Sequence, residues 1–125
     1  MLIAKLTWQI RWRFPQMVLV EGPSMEPGLP DGSWVVMLPT PGRLPRLGQV
    51  VVAEHPHRPG FELVKRVGAV SRSRRLLWLA GDNRAESTDS DDFGPVTAAG
   101  LVGIVVLRLR PWPPQWQRAD PERLR

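Results

Sequence analysis

The sequence predicts a mainly β fold, a small folded sheet or barrel with short helices or none. The 125 residues include 14 prolines and 11 glycines, a content that disfavours long helices and indicates many turns. Short apolar runs rich in β-branched residues lie between these turns, which is typical of strands. The length fits a single domain, residues 1–125, without internal repeats.

The N-terminal segment, residues 1–16, is amphipathic and fits two secondary structures. Apolar residues alternate with polar ones, as in a strand, at Leu6, Trp8, Ile10, Trp12 and Phe14. A helical stripe also fits, at Leu2, Leu6 and Ile10. Basic residues interrupt the apolar sequence, so we expect neither a transmembrane helix nor a cleaved leader. We expect the segment to pack on the domain's own core, with contact to a membrane surface as the alternative.

The rest of the chain is predicted to form strands separated by turns. The short apolar run 17–20 leads into a turn, and the later strands are predicted at residues 34–38, 49–53, 61–70, 76–79 and 101–109. Prolines and glycines mark turns or loops at 30–33, 39–48 and 55–60, and a hairpin turn is predicted at 71–75. We expect the Pro-rich tail, 111–125, to be extended or poorly ordered after about Trp116.

Composition argues against several kinds of site. The chain has no cysteine, which rules out disulfides, thiolate zinc sites and a cysteine nucleophile. His55 and His57 have no obvious third ligand, so we interpret them as turn residues. The acidic residues Asp89, Asp91 and Asp92 do not follow the spacing of an EF-hand calcium loop. We therefore expect no metal and no cofactor.

The formal net charge of +5 raises the question of binding to nucleic acid. The arginines are scattered along the chain, apart from a small cluster in the predicted hairpin turn at Arg72, Arg74 and Arg75. No nucleic-acid-binding motif accompanies that cluster. We therefore expect no nucleic-acid partner.

Lys65 is a candidate general base. Nearly all the positive charge comes from arginine, which keeps its proton, and the other lysine, Lys5, lies near the N-terminus. Strand alternation places Arg66 on the opposite face from Lys65, whose own face is otherwise apolar: Phe61, Leu63, Val67 and Ala69. Burial lowers the pKa of a lysine toward neutrality, where a general base works best. From the strand alone, a lysine that reaches solvent at the strand end fits equally well.

Ser24 is a candidate nucleophile. Gly22 allows a tight turn, Pro23 stiffens the approach to the serine, and Pro27 constrains the exit. A nucleophilic hydroxyl needs this fixed and exposed presentation. An ordinary turn serine is the other interpretation, which turn statistics alone favour. Pro23 has no N–H, so the nearest oxyanion donor is the amide of Ser24 itself.

The polar segment 81–94 supplies groups that can meet both candidates. A hydroxyl of this segment can accept a hydrogen bond from the lysine and direct the lone pair of its nitrogen. The aspartates can anchor the segment through Arg66 or Arg84.

Three motifs resemble the signal peptidase I family. Gly22-Pro23-Ser24-Met25-Glu26-Pro27 looks like its Ser-Met-x-Pro signature, and Leu63-Val64-Lys65-Arg66-Val67 resembles its Lys-Arg strand. Gly81-Asp82-Asn83, followed by Ser87-Thr88-Asp89-Ser90 and Phe93-Gly94, resembles the last conserved block of that family. The motifs occur in the family's order over about residues 18–107. Together they favour a catalytic role for both Ser24 and Lys65 over a lysine that reaches solvent and an ordinary turn serine.

The resemblance implies a serine endopeptidase with a Ser/Lys dyad on a β-rich fold, without cofactor or metal. Ser24 would attack the peptide carbonyl while neutral Lys65 takes its proton. By position, Ser87 matches the serine that orients the lysine, and Asp89 matches the acidic residue that pairs with the arginine beside the lysine. The full set of supporting residues is Ser87, Asp89, Arg66, Asp82 and Gly22.

Two positions depart from the family's pattern. Asp91 follows Ser90 where the family usually has arginine, so the second ionic partner of Asp89 is missing. Position 22 is glycine, whereas some members have a serine there whose hydroxyl completes the oxyanion hole. The anchoring of the segment and the second oxyanion donor are therefore left open.

The closest branch by resemblance is the group of small proteases that mature nickel-type superoxide dismutase. The short chain, the wording Ala-Glu-Ser-Thr-Asp-Ser in the last block and the lack of an evident anchor indicate this branch. We therefore expect a cytoplasmic protease whose partner is a precursor protein with an N-terminal extension, namely nickel superoxide dismutase. The alternatives are a membrane-associated signal peptidase I that cleaves secretory leader peptides, and a catalytically silent peptide-binding module of the same fold.

Overall fold

The computed structural model describes residues 14–40 and 42–124. These residues form one curled antiparallel sheet, and the expected mainly β fold is confirmed. The strands are β1 (Gln16–Leu19), β2 (Trp34–Pro39), β3 (Val50–Glu54), β4 (Glu62–Ser71), β5 (Leu76–Ala80), β6 (Val96–Thr97), β7 (Leu101–Arg110) and β8 (Gln115–Trp116). The helical pieces are short: α1 (Ser90–Phe93) and three 3-10 turns, at Arg84–Glu86, Ala98–Gly100 and Pro121–Leu124.

The strand order explains how distant parts of the chain meet. Neighbours run β1-β2-β7-β3-β4-β5-β6, and β8 pairs with β7. The long strand β7 therefore pairs with β2 along one edge, over residues 103–110, and with β3 along its other edge, over residues 101–104. Three strands lie between β1 and β4 in this order, and the curl of the sheet brings the turn after β1 to the same cleft as β4.

Both faces of β3 are buried, which explains why its sequence is continuously apolar rather than alternating. Val50 and Val52 belong to one core cluster, and Val51 and Ala53 belong to the other. The first cluster also contains Met25 and Leu29, which follow Ser24 and are fully buried. Burial of such a side chain stabilises the fold by about 1.5–3 kcal/mol. The turn that carries Ser24 is thus anchored in the core.

The predicted strands at 34–38, 49–53, 76–79 and 101–109 are confirmed, with small shifts at their ends. The predicted alternation along β4 is correct only as far as Val67. Val67 pairs with Leu79 and Ala69 with Trp78, so Gly68 is an extra, bulged residue that reverses the phase of the strand. The expectation that Ala69 shares the face of Lys65 was therefore wrong.

The tail after Trp116, which we expected to be extended or poorly ordered, is bonded to the sheet and contains the 3-10 turn Pro121–Leu124. Gln117 N–H donates to the carbonyl of Val106 at 2.9 Å, and Asp120 N–H donates to that of Gly48 at 2.9 Å. These bonds tie the tail to the sheet, which the tail's own composition does not indicate. Most of segment 1–16, with its alternative structures and contacts, lies outside the described residues. No helix within 14–40 and 42–124 has the length and apolar character needed to cross a membrane.

Candidate active site

Ser24 lies in the turn between β1 and β2, in a backbone that is held on both sides. The N–H of Gly22 donates to Asp31 Oδ1 at 2.8 Å, and Gly22 has a φ of 85°, which glycine adopts without strain. After the serine, Leu29 N–H donates to the carbonyl of Met25 at 2.9 Å. Because the amide of Gly22 is already engaged by Asp31, it is not a free oxyanion donor. The amide of Ser24 remains the candidate named from the sequence.

Lys65 is buried in the middle of β4, opposite Val51 of β3, with 5% of its surface exposed. Its ammonium nitrogen donates a hydrogen bond of 2.6 Å to Ser87 Oγ and lies 3.5 Å from Asp89 Oδ1. Burial lowers the pKa of Lys65 below its ordinary value, and the negative charge of Asp89 partly opposes this. The lysine is therefore tuned toward its neutral form while a carboxylate stays near enough to stabilise the charged form.

Ser87 and Asp89 form a chain of hydrogen bonds behind the lysine. The hydroxyl of Ser87 accepts from Lys65 and donates to Asp89 Oδ1, an oxygen that also accepts from the N–H of Gly81 at 2.9 Å. Because the proton of Ser87 is committed to Asp89, its oxygen is left to accept from Lys65. Ser87 therefore contacts the lysine, and its role in orienting Lys65 for catalysis stays a prediction.

Arg66 pairs with Asp82 rather than with Asp89, which corrects the pairing expected from the resemblance. Its Nε and Nη2 atoms each donate to one oxygen of Asp82 at 2.8 Å, a bidentate arrangement. Its remaining nitrogen donates to the carbonyl of Gly48 at 2.8 Å. The side chain lies on the opposite face of β4 from Lys65, as the alternation predicted. Asp89 instead belongs to the lysine side of the site.

The segment 81–94 stays anchored although Asp91 replaces the usual arginine. Asp89 and Asp92 form a reciprocal capping box at the start of α1, in which Asp89 N–H donates to Asp92 Oδ2 at 3.0 Å. Ser90 Oγ accepts from the N–H of Leu79 on β5 at 2.7 Å, and Arg84 Nε lies 3.7 Å from Asp89 Oδ2. These contacts take the place of the missing ionic partner.

Asn83 is a residue whose role the sequence reasoning missed. Its backbone N–H donates to the carbonyl of Ser24 at 2.9 Å, and its side-chain amide donates to that of Pro23 at 3.1 Å. At Gly81, a Cβ atom would lie 2.5 Å from the Ser24 carbonyl oxygen, so only glycine fits there. The Gly-Asp-Asn motif marks these residues in the sequence. It does not show that Asn83 bonds to the carbonyls of Pro23 and Ser24, because those carbonyls lie far away in the chain.

Ser24 and Lys65 line the same cleft, which has a volume of about 450 Å³. Other parts of its wall come from Val18 on β1, from Phe61 just before β4 and from Phe93 at the end of α1. Within residues 14–40 and 42–124, no hydrogen bond joins the Ser24 hydroxyl to Lys65, whose bond goes to Ser87. The two candidates thus face a common space without being bonded to each other.

Unpaired strand edges border this cleft. β1 stands at one end of the strand order, so no described strand covers its outer edge. β5 pairs with β4 only from Arg66 onward, which leaves the earlier part of that edge without a partner strand among the described residues. An extended peptide can add to such edges through main-chain hydrogen bonds.

The two histidines lie in the turn between β3 and β4, beside the cleft. His57 Nε2 lies 2.8 Å from the carbonyl oxygen of Phe93, and the ring of His55 packs against that of Phe93 with 4.8 Å between centroids. Over the described part of the chain, no group of three or more acidic or histidine side chains is arranged to hold a metal ion.

Comparisons with known proteins show the family of the chain. The family model described as "Signal peptidase, peptidase S26" matches residues 1–71. The chain is 33% identical to mitochondrial inner membrane protease subunit 1 of Schizosaccharomyces pombe, over 91% of this chain and 85% of that protein. It is 34% identical to mitochondrial inner membrane protease subunit 2 of Danio rerio, over 87% of this chain and 71% of the relative. It is 30% identical to mitochondrial ATP-independent inner membrane protease subunit 1a of Arabidopsis thaliana, over 78% of this chain and 70% of that protein.

The match covers more than half of the chain, and its relatives align along most of their own length. The sequence motifs, the curled β-sheet and these similarities lead to one assignment: the chain belongs to the signal peptidase family, peptidase S26.

Proposed function

We propose that the protein is a serine endopeptidase that uses a Ser24/Lys65 dyad to cleave a precursor protein near its N-terminus. The observation that carries this proposal is the burial of Lys65, with its nitrogen bonded to Ser87, in the cleft that also contains Ser24. A buried lysine of lowered pKa can be neutral near physiological pH and can act as a base.

The reaction begins when an extended peptide enters between the open edges of β1 and β4. Neutral Lys65 takes the proton of the Ser24 hydroxyl as the serine oxygen bonds to the peptide carbonyl carbon. The N–H of Ser24 donates to the oxygen that becomes negative. Protonated Lys65 then gives its proton to the leaving amine as the C–N bond breaks, and water attack with Lys65 again as the base releases Ser24.

Ser87 and Asp89 support both protonation states of the lysine. Ser87 fixes the direction of the Lys65 nitrogen, so that its lone pair can point at the nucleophile. Asp89 lies 3.5 Å from that nitrogen and stabilises the ammonium that forms during the reaction. Asp82 and Arg66 act from the other face of β4 by holding the segment 81–94 against the strand.

The relatives favour a protease that works at a membrane. Those named above are subunits of mitochondrial inner membrane proteases, and none is named for superoxide dismutase. We therefore place membrane association ahead of the cytoplasmic location, and precursor processing in general ahead of nickel superoxide dismutase. The superoxide dismutase precursor rests on the wording of residues 85–90 alone.

Co-expression with two precursors tests the proposal and ranks the substrates. One precursor carries a secretory leader peptide, and the other is a nickel superoxide dismutase with its N-terminal extension. We expect Ser24→Ala and Lys65→Ala each to lower cleavage by at least about a thousandfold. Lys65→Arg should do the same because it keeps the charge but cannot act as a base. The matched control is Lys5→Arg, which should cleave like the unaltered chain.

Two outcomes would contradict the proposal. Cleavage retained in Ser24→Ala or Lys65→Arg would remove the dyad, and peptide binding without cleavage by the unaltered chain would favour the silent binding module. Sedimentation of the protein with membranes would support the location that the relatives favour, and a wholly soluble pool would support the cytoplasmic one.

A further inference from the structure

The segment 111–124, here called the C-terminal strap, turns back over the sheet after β7. Its first part forms β8, in which Trp116 pairs with Leu107 of β7, and Gln117 N–H donates to the carbonyl of Val106 at 2.9 Å. Most strap residues are exposed, including Trp112 and Trp116. The strap therefore contributes little to the core, and its position calls for another explanation.

One end of the strap reaches the face of β4 that lies opposite Lys65. The carbonyl of Gly48 accepts from Asp120 N–H at 2.9 Å and from Arg66 Nη1 at 2.8 Å. A Cβ atom at Gly48 would lie 2.5 Å from the backbone nitrogen of Pro121, so the strap packs directly on this glycine. Because Arg66 is the neighbour of Lys65 and binds Asp82, the strap shares an acceptor with the ion pair that holds β4 to the segment 81–94.

The same strap reaches the serine side. Arg108 Nη1 donates to the carbonyl of Gly28 at 2.9 Å, and Nη2 of the same residue donates to that of Pro113 in the strap at 3.2 Å. The guanidinium of Arg123 covers Gly28, where a Cβ atom would lie 3.5 Å from its Nη1. Arg123 is in turn paired with Asp120 at 3.5 Å. Gly28 is in the exit of the turn that carries Ser24.

We propose that the C-terminal strap positions the turn of Ser24 relative to the strand of Lys65, with Arg108 and Arg123 as positioning residues. The inference rests on the proposed dyad, whose two members are not bonded to each other and so depend on their supports for alignment. Misplacement of a reacting group by about 1 Å costs on the order of a hundredfold in rate. The strap holds Gly28 and Gly48, one support on each side.

Strap variants should lose turnover while retaining substrate binding, because no strap residue lines the cleft. Two variants test this: a chain that ends at Gln117, and Arg123→Ala in the full chain. The matched control is Arg118→Ala, which changes an exposed arginine of the same segment. We expect kcat to fall by about tenfold or more in the first two, with KM changed by less than about twofold. Arg118→Ala should leave both unchanged.

Hydrogen exchange provides a readout that does not depend on activity. The amide of Asn83 is bonded to the Ser24 carbonyl, so its exchange reports how firmly the turn is held. We expect it to exchange about tenfold faster in the shortened chain and in Arg123→Ala than in Arg118→Ala. If the shortened chain does not fold, Asn83 exchange in Arg123→Ala and in Arg108→Gln tests the positioning role.

The outcomes separate this inference from the proposed function. If the unaltered chain cleaves and the strap variants match it in kcat and in Asn83 exchange, the positioning role is wrong while the dyad stands. If the unaltered chain cleaves nothing, the proposed function fails, and Asn83 exchange alone decides: faster exchange in the strap variants supports positioning, and unchanged exchange overturns it.

Discussion

Lys65 combines two opposing influences on one nitrogen atom. Burial favours its neutral form, and the Asp89 carboxylate, with a smaller contribution from Asp92, favours the charged form. The proposed reaction needs both forms, because Lys65 takes a proton from Ser24 and later gives it to the leaving amine. The position of Asp89 behind Ser87 therefore sets the balance, and it can be changed without touching either member of the dyad.

The pH profile of kcat/KM should follow this balance. Because neutral Lys65 is the active form, kcat/KM should rise with pH through the Lys65 pKa, at a midpoint below the ordinary lysine value of about 10.4. Asp89→Asn removes a charge that raises the pKa, so the midpoint should move to lower pH. The matched control Asp92→Asn should move it in the same direction by less. A midpoint that moves to higher pH in Asp89→Asn would contradict this explanation.

At this scale the sequence predicted some contacts and missed others for identifiable reasons. Strand alternation placed Lys65 on an apolar face of β4 but left burial and exposure equally possible, and the structure shows that Lys65 is buried. The partner of Arg66 did not follow, because a loop with several aspartates does not show which carboxylate reaches the strand. The bonds of Asn83 depend on backbone carbonyls of the serine turn, about which residue types carry no information.

At the scale of elements, the pair of Arg66 and Asp82 joins β4 to the segment 81–94. Their side chains are only 5% and 3% exposed, and the contact is bidentate. Removal of one partner leaves a buried charge without compensation, which costs much more than loss of a surface pair. The element that carries Ser87 is therefore held by a contact on the face of β4 opposite the cleft.

Asp82→Asn should lower the free energy of unfolding by about 3–5 kcal/mol, because it leaves Arg66 buried without a counter-charge. The double variant Arg66→Met with Asp82→Leu should recover much of this loss. As a control, Arg84→Gln should cost less than about 1 kcal/mol, because the Arg84 side chain is 51% exposed and lies 3.7 Å from Asp89. Urea unfolding measures all three. Equal losses for Asp82→Asn and Arg84→Gln would contradict the structural role assigned to the buried pair.

At the scale of the whole molecule, the strand pattern predicted the fold class because apolar runs and turn residues are local signals. The bulge at Gly68 and the return of the tail were not predictable in this way. The first depends on the register between β4 and β5, and the second on carbonyls of Gly48 and Val106 that lie far away in the sequence. Both features bear on the site. The bulge ends the face of β4 that carries Lys65, and the tail contacts the opposite face of β4.

The chain offers a direct test of its central claim, since Lys5 and Lys65 are its only lysines. Labelling lysine with ¹³C at the ε carbon gives two NMR signals, and Lys5→Arg leaves that of Lys65 alone. We expect this signal to titrate below the ordinary lysine pKa and at the same midpoint as kcat/KM. A Lys65 signal that titrates at or above the ordinary value, while the protein cleaves at lower pH, would contradict a neutral lysine as the base.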